Sequence, residues 1–220
     1  FDTEAVSGHL LGRWTWECPD GSRTKLQAYY DGFDRQIDYL LRERRHTFDL
    51  DLQRTTALGD RHQLTFGGNY RVSVDDVDVG GSIEAVNSDE TLNFVSLFAL
   101  DEWQITERLK ATAGLTLTHN DYTGFEYQPE LRFGYAPSED TLFWGSVART
   151  VRIPSRFSNG FRIGVASEDS GMGWLPLITE LQPNTSLDAE VHWAYEIGGR
   201  GRQGAQHEVN EAQNKNDTEA

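Results

Sequence analysis

Three arginines crowd the run Ala148-Arg149-Thr150-Val151-Arg152-Ile153-Pro154-Ser155-Arg156. A guanidinium presents its N–H donors as a planar fork that fits carboxylates and phosphates. Arg149, Arg152 and Arg156 are therefore the candidate site residues: lining a lumen, they would face an anionic ligand or a domain that plugs it. At a rim they would be ordinary arginines in water. Other chemistry is scarce. The six histidines, at 9, 46, 62, 119, 192 and 207, include no i,i+4 pair. The acidic stretch Asp75-Asp76-Val77-Asp78-Val79-Gly80-Gly81 puts Gly80 and Asn87 where a calcium loop needs ligands. Carboxylates are plentiful, but nothing selects a catalytic pair, and no nucleophile elbow, P-loop, dinucleotide fingerprint or zinc helix occurs. The expectation is no catalytic residue, no metal site, no cofactor and no enzyme. The single cysteine, Cys18, excludes an internal disulfide and a cysteine metal cluster.

The elements that must hold these arginines alternate with a period of two. Leu64, Phe66, Gly68, Tyr70, Val72 and Val74 fall on one face against Gln63, Thr65, Asn69, Arg71 and Ser73. Leu109, Ala111, Ala113, Leu115 and Leu117 oppose Lys110, Thr112, Gly114, Thr116 and Thr118. Phe125, Tyr127, Leu131, Phe133 and Tyr135 oppose Glu126, Gln128, Glu130 and Arg132, with Pro129 tolerable only at an edge or near a strand end. Each is an apolar ribbon with a polar back, as in a sheet with one wet face. Weaker copies lie near 6–17, 23–33, 47–58 and 91–104, and 141–152 and 187–199 also look extended. Only Ile37-Asp38-Tyr39-Leu40-Leu41-Arg42-Glu43-Arg44-Arg45 could form a short helix, its plainer alternative being a solvated loop.

Connections carry further information. Pro19-Asp20-Gly21, Gly59-Asp60-Arg61, Thr106-Glu107-Arg108 and Pro137-Ser138-Glu139-Asp140 are tight. Between them lie a longer charge-rich segment at 34–46, an acidic one at 75–90, an intermediate one at 120–124 and a very long one at 153–186. Tight and long alternate, as in an up-and-down antiparallel meander whose short turns share one end; transmembrane barrels have this asymmetry. A mean hydropathy of −0.59 and the absence of ~20 consecutive apolar residues exclude spanning helices but not spanning strands. A net charge of −15 argues against a nucleic-acid partner. Phe1-Asp2-Thr3-Glu4 shows neither a basic n-region nor an apolar h-region, so the expectation is a processed or truncated chain, and residues 201–220 read as a polar, disordered tail after a domain over 1–200.

On particular blocks the sequence resembles the TonB-dependent receptor family. Phe98-Ala99-Leu100-Asp101-Glu102-Trp103-Gln104-Ile105-Thr106, with Leu109 and Ala113-Gly114-Leu115, resembles its strand–turn–strand signature. Tyr127-Gln128-Pro129-Glu130-Leu131-Arg132-Phe133-Gly134-Tyr135 and Leu142-Phe143-Trp144 are similar to the next pair of strands. The segments from Ala148 to Arg156 and from Leu181-Gln182-Pro183-Asn184 to Tyr195-Glu196-Ile197-Gly198 resemble the following blocks. Leu100 stands where the family usually has glutamine, and Thr116 where arginine is common. The resemblance implies an all-β fold, roughly nine strands of a larger transmembrane barrel. The chain is then an internal piece lacking its N-terminal plug, with a foreign or frameshifted tail. It further implies residence in the outer membrane of a Gram-negative bacterium, among outer-membrane lipid. The implied function is import of a scarce metal chelate, such as a ferric siderophore, powered by the TonB system through the plug. Two alternatives stay open: a passive porin-like barrel, and a soluble antiparallel sheet that binds small ligands with its apolar ribbons turned inward.

Overall fold

The structure, a computed structural model, describes residues 2–81, 83–169 and 176–201, apart from the side chains of 166–169 and 176–178. Twelve strands and one short helix follow in chain order: β1 (Thr3–Glu17), β2 (Arg23–Ile37), β3 (Leu41–Leu58), β4 (His62–Val79), β5 (Ile83–Ala85), β6 (Asp89–Thr106), β7 (Leu109–Asn120), β8 (Gly124–Ser138), β9 (Thr141–Arg152), α1 (Arg156–Gly160), β10 (Phe161–Asp169), β11 (Pro176–Leu181) and β12 (Glu190–Gly201). Nine of them form one antiparallel meander in the order β1-β2-β3-β4-β6-β7-β8-β9-β12, open between β1 and β12. A small sheet, β11-β10-β5, is built wholly from the connections.

Register sorts the two faces. Phe48, Val72 and Asn93 fall in one row, as do Leu50, Tyr70 and Val95, and Leu97 sits opposite Leu117. These side chains share the outer face, where Leu97 is 61% and Leu115 is 43% exposed. The opposite face is polar and tied across strands: Thr47 to Ser73 at 3.0 Å, Thr55 to Thr65 at 3.1 Å, and Arg71 Nε donating to Asp49 at 2.8 Å. Among the described residues the only buried hydrophobic is Val77, whereas Asp49, Asp75, Thr118, Asn120 and Arg149 are buried. A sheet folded for water would turn the apolar ribbon inward. This one wears it outside.

The outer ribbon is also the right height for a bilayer. On β3 the outward positions run Arg44, His46, Phe48, Leu50, Leu52, Arg54. The two arginines lie ten positions apart, which at ~3.3 Å per residue and a ~40° tilt is roughly 25 Å, the height of an outer-membrane apolar band. Aromatic side chains border it, as interfacial girdles do: Trp14, Trp16 and Trp103 toward the short turns, Tyr30 and Tyr127 toward the other end. Arg54, outward by register, reaches away to the turn and donates to Ser22 Oγ at 2.8 Å.

The short turns are chemically specified. In Cys18–Ser22, Gly21 takes a positive φ of 78°, while Asp20 accepts from the Ser22 amide at 2.9 Å and hydroxyl at 2.6 Å. Those two bonds hold the Asp20 carboxyl below its ordinary pKa. At the opposite end two expectations need correcting. Residues 34–46 are neither a long loop nor a helix: β2 and β3 continue through them, and only Asp38–Leu40 turns, with Tyr39 at φ 61°. Their charges face one another across strands, Arg35 with Glu43 at 2.7 Å and Arg44 with Asp34 at 3.2 Å, so the sheet outruns the apolar band instead of fraying. The 75–90 segment is likewise mostly strand. Connection length therefore does not alternate strictly. The long segment 153–186 is not structureless, since α1, β10 and β11 lie within it.

Pro129 sits within β8, opposite Leu115 of β7, where it lacks an N–H for the neighbour on its other side. Pairing of β8 with β9 ends one residue away, at Glu130 and Ala148. The strand pair is thus parted toward the long-loop end. The expected tail at 201–220 lies outside the described residues, Gly201 excepted.

Candidate functional site

The polar chemistry gathers where the sheet overhangs the band, on its inner face. Asp75 is 1% exposed and takes a two-pronged bond from Arg45, Nε at 2.5 Å and Nη2 at 2.9 Å. Arg45 also lies 3.2 Å from Glu43, which pairs in turn with Arg35. On the other flank of Asp75, 3.1 Å away, is Nε of Arg156. That guanidinium also pairs with Glu90 and donates to the carbonyl oxygens of Asn87 at 3.1 Å and Ser88 at 3.0 Å. Glu90 accepts from the Tyr122 hydroxyl at 3.3 Å. The result is a relay of alternating charge, Arg35–Glu43–Arg45–Asp75–Arg156–Glu90–Tyr122, crossing β2, β3, β4, α1, β6 and the β7–β8 turn.

The alternation is what lets charge be buried here. A desolvated carboxylate is costly alone but tolerable when flanked by forked donors. Burial and the Glu90 carboxylate together push the Tyr122 phenol well above its ordinary pKa, so it remains a donor.

Of the three arginines singled out from sequence, the structure gives each a different task. Arg156 enters the relay and is 8% exposed. Arg149 belongs by register with Trp193 and the outer ribbon, yet it is buried in the opening between β8 and β9. Its guanidinium donates to the Tyr127 carbonyl, lies 4.1 Å from the Tyr127 ring centroid and 3.7 Å from Glu126. It replaces strand pairing that Pro129 interrupts. Arg152 stands in solvent: its only described partner is Glu190 at 3.3 Å, and both side chains are more than two-thirds exposed. Among the described residues no common partner joins the three.

Sequence reasoning missed Asp75, Glu43, Arg45, Glu90 and Tyr122. A signal was available. Glu43, Arg45, Asp75 and Val77 occupy the same parity as the polar backs of β3 and β4, so continuing the alternation past the apolar band would have turned them inward. Among the described residues no group of three His, Cys, Asp or Glu side chains is placed to hold a metal ion.

The relay also borders a recess. A cavity of about 290 Å³ lies between the inner wall and the α1–β10 segment, lined by Leu41, Val77 and Val79 from the wall and by Arg156, Phe157 and Phe161 opposite. Phe157 and Phe161 stack at 5.4 Å.

Comparison with known proteins agrees with this architecture. Residues 7–207 match the family model described as TonB dependent receptor-like, beta-barrel. Among curated proteins no relative matches. Similar solved structures include the siderophore receptor PirA from Pseudomonas aeruginosa, with TM-score 0.73 and 16% identity, covering 91% of this chain and 36% of that one. The siderophore receptor PirA from Acinetobacter baumannii gives TM-score 0.73 at 14% identity, covering 92% and 33%. A mutant of the ferric enterobactin receptor PfeA from Pseudomonas aeruginosa gives 0.72 at 19%, covering 92% and 33%. The chain spans about a third of the length of these receptors.

Proposed function

Since the chain belongs to the TonB-dependent receptor β-barrel family, whose members are transport receptors and not enzymes, we propose that it supplies part of the wall of an energised importer in the outer membrane of a Gram-negative bacterium. In this reading residues 1–200 are barrel wall and 201–220 a polar tail. The cargo is a large metal chelate of the ferric-siderophore kind, and energy arrives from TonB through a plug domain in the lumen. Arg152 and Arg156 then stand on the side that a ligand or plug approaches, whereas Arg149 serves the wall.

The observation that carries the reading is the inverted polarity of the sheet. An apolar band ~25 Å tall faces outward and ion pairs are buried inward, as a wall between lipid and a polar interior requires. The PirA and PfeA likenesses support the ligand class only by analogy of fold. The test is uptake of radiolabelled ferric siderophores by cells carrying the full-length receptor, with and without an uncoupler. Import should stop when the proton gradient collapses. Import that persists would make the protein a passive, porin-like barrel.

A further inference from the structure

The relay has six members on the sheet and its turns and one that is not. Arg156 alone comes from the long connection. We propose that Arg156 is the fastening of a strap: the segment Arg156–Ile163 lies across the inner wall, is locked there by one guanidinium, and can detach while the wall stays intact, uncovering the recess beneath. The proposal rests on the receptor reading for its orientation, with this end facing the cell exterior.

Three observations carry it. First, the wall is complete without the strap. If Arg156 leaves, Asp75 keeps the two-pronged bond from Arg45 and Glu90 keeps the Tyr122 hydroxyl. No carboxylate on the wall is orphaned, so release avoids the large penalty of an unpaired buried charge, and Arg156 itself goes to water. Second, the strap's remaining bonds do not run to the wall. Phe161, Arg162 and Ile163 pair with Ala85, Glu84 and Ile83 of β5, and Val86 donates to the Gly160 carbonyl at 2.8 Å. Arg162 also pairs with Glu84 at 2.7 Å. β5 belongs to the connection between β4 and β6, and Ile163 and Ser158 are tied further to Leu181 and to the Asn184 amide within the long connection itself, so strap, β5 and β11 can move as one body. Third, the contact beneath is imperfect. Phe157 and Phe161 share the roof of the 290 Å³ recess over Val77 and Val79 instead of filling it. Side chains lining a void forgo the dispersion contacts that close packing supplies. The strap is thus strongly held at one point and weakly elsewhere, the pattern of an element that opens locally.

Val77, 2% exposed beneath the strap, is the natural reporter. In the full-length receptor with Cys18→Ser, Val77→Cys would be labelled by a membrane-impermeant maleimide on intact cells, and barrel assembly followed by heat-modifiable migration. With Arg156 present, labelling should be slow. Arg156→Ala and Arg156→Gln should speed it roughly ten- to a hundredfold, the range expected for losing a charged hydrogen-bonded tie, and Arg156→Lys should speed it less, with assembly unchanged in all three. Fast labelling when Arg156 is present, or equal rates with and without it in assembled barrels, would overturn the strap. So would failure of both Arg156→Ala and Arg156→Gln to assemble, because the wall would then depend on the fastening. If labelling is seen only in opened cells, but still rises with Arg156→Ala, the strap stands and the assigned orientation fails.

Discussion

Two levels of one sheet obey opposite rules. Between Arg44 and Arg54 the strands show apolar side chains outward over an inner face of hydroxyls and amides that holds one buried ion pair, Arg71 with Asp49, and most cross-strand contacts there are modest. At the Arg44 edge and beyond it the same strands link buried charges into a network, with Glu43, Arg45 and Asp75 packed on the inner face behind Arg156. The lower level is specified by its solvent, the upper by its partners. A residue swap should therefore be judged at the lower level by the face it changes, and at the upper by the partner it abandons.

The largest effect is expected at the upper level. Asp75→Ala leaves Arg45 and Arg156 facing each other without the carboxylate between them; removing one member of a buried pair costs about 3–5 kcal/mol. In the full-length receptor it should lower the temperature at which the folded band is lost in heat-modifiable migration, and lower it more than Arg156→Ala does. Equal effects would place the cost in the strap, not in the carboxylate.

At the lower level the face decides. Leu115→Arg puts a guanidinium in hydrocarbon at about 2–4 kcal/mol and should sharply reduce assembled barrel in outer-membrane fractions. Thr116→Arg, one residue on and pointing inward beside the row of Phe98 and Gln128, should assemble normally. The reverse order would mean the two faces have been exchanged.

Between the levels lies the opening beside Pro129. Arg149→Ala strands the Tyr127 carbonyl and removes a stacked guanidinium, at about 1–3 kcal/mol, whereas Arg152→Ala should change the same melting measurement by less than roughly 0.5 kcal/mol, as exposed pairs do. If the two arginines prove equal, the wall does not need Arg149. The smallest effect concerns Tyr122. Its folded pKa is raised above the ordinary 10.0, so its contribution is fully present below pH 10 and is lost as pH climbs beyond that value. Wild-type receptor should therefore lose more stability between neutral pH and pH 11 than Tyr122→Phe does.

How much of this was legible in the sequence follows the same division. Period-two alternation located seven strands of the large sheet, and 141–152 and 187–199 read as extended, because along the band every second residue answers to an apolar face. Above the band no solvent rule operates, and the text becomes pairwise. Asp34, Arg35, Glu43 and Arg44 read as a charged loop because their meaning lies in strands that are not adjacent in sequence until the hairpin closes. The turn that closes it carries no glycine, proline or Asn-Gly signature; Tyr39 takes the left-handed conformation instead. For the three arginines, the run from 148 to 156 gave residue type and neighbourhood but not fate. Pro129 and the strand parity decide for Arg149, and a carboxylate more than sixty residues away decides for Arg156.

The parted strands beside Pro129 also set how the wall would yield under load. A meander resists peeling through its ladder of parallel-acting backbone bonds, and tension across it concentrates wherever rungs are missing. Above Glu130 and Ala148 the described rungs between β8 and β9 end, and one side chain, Arg149, bridges the break. Pulled apart from the long-loop end, the sheet should tear first along this line.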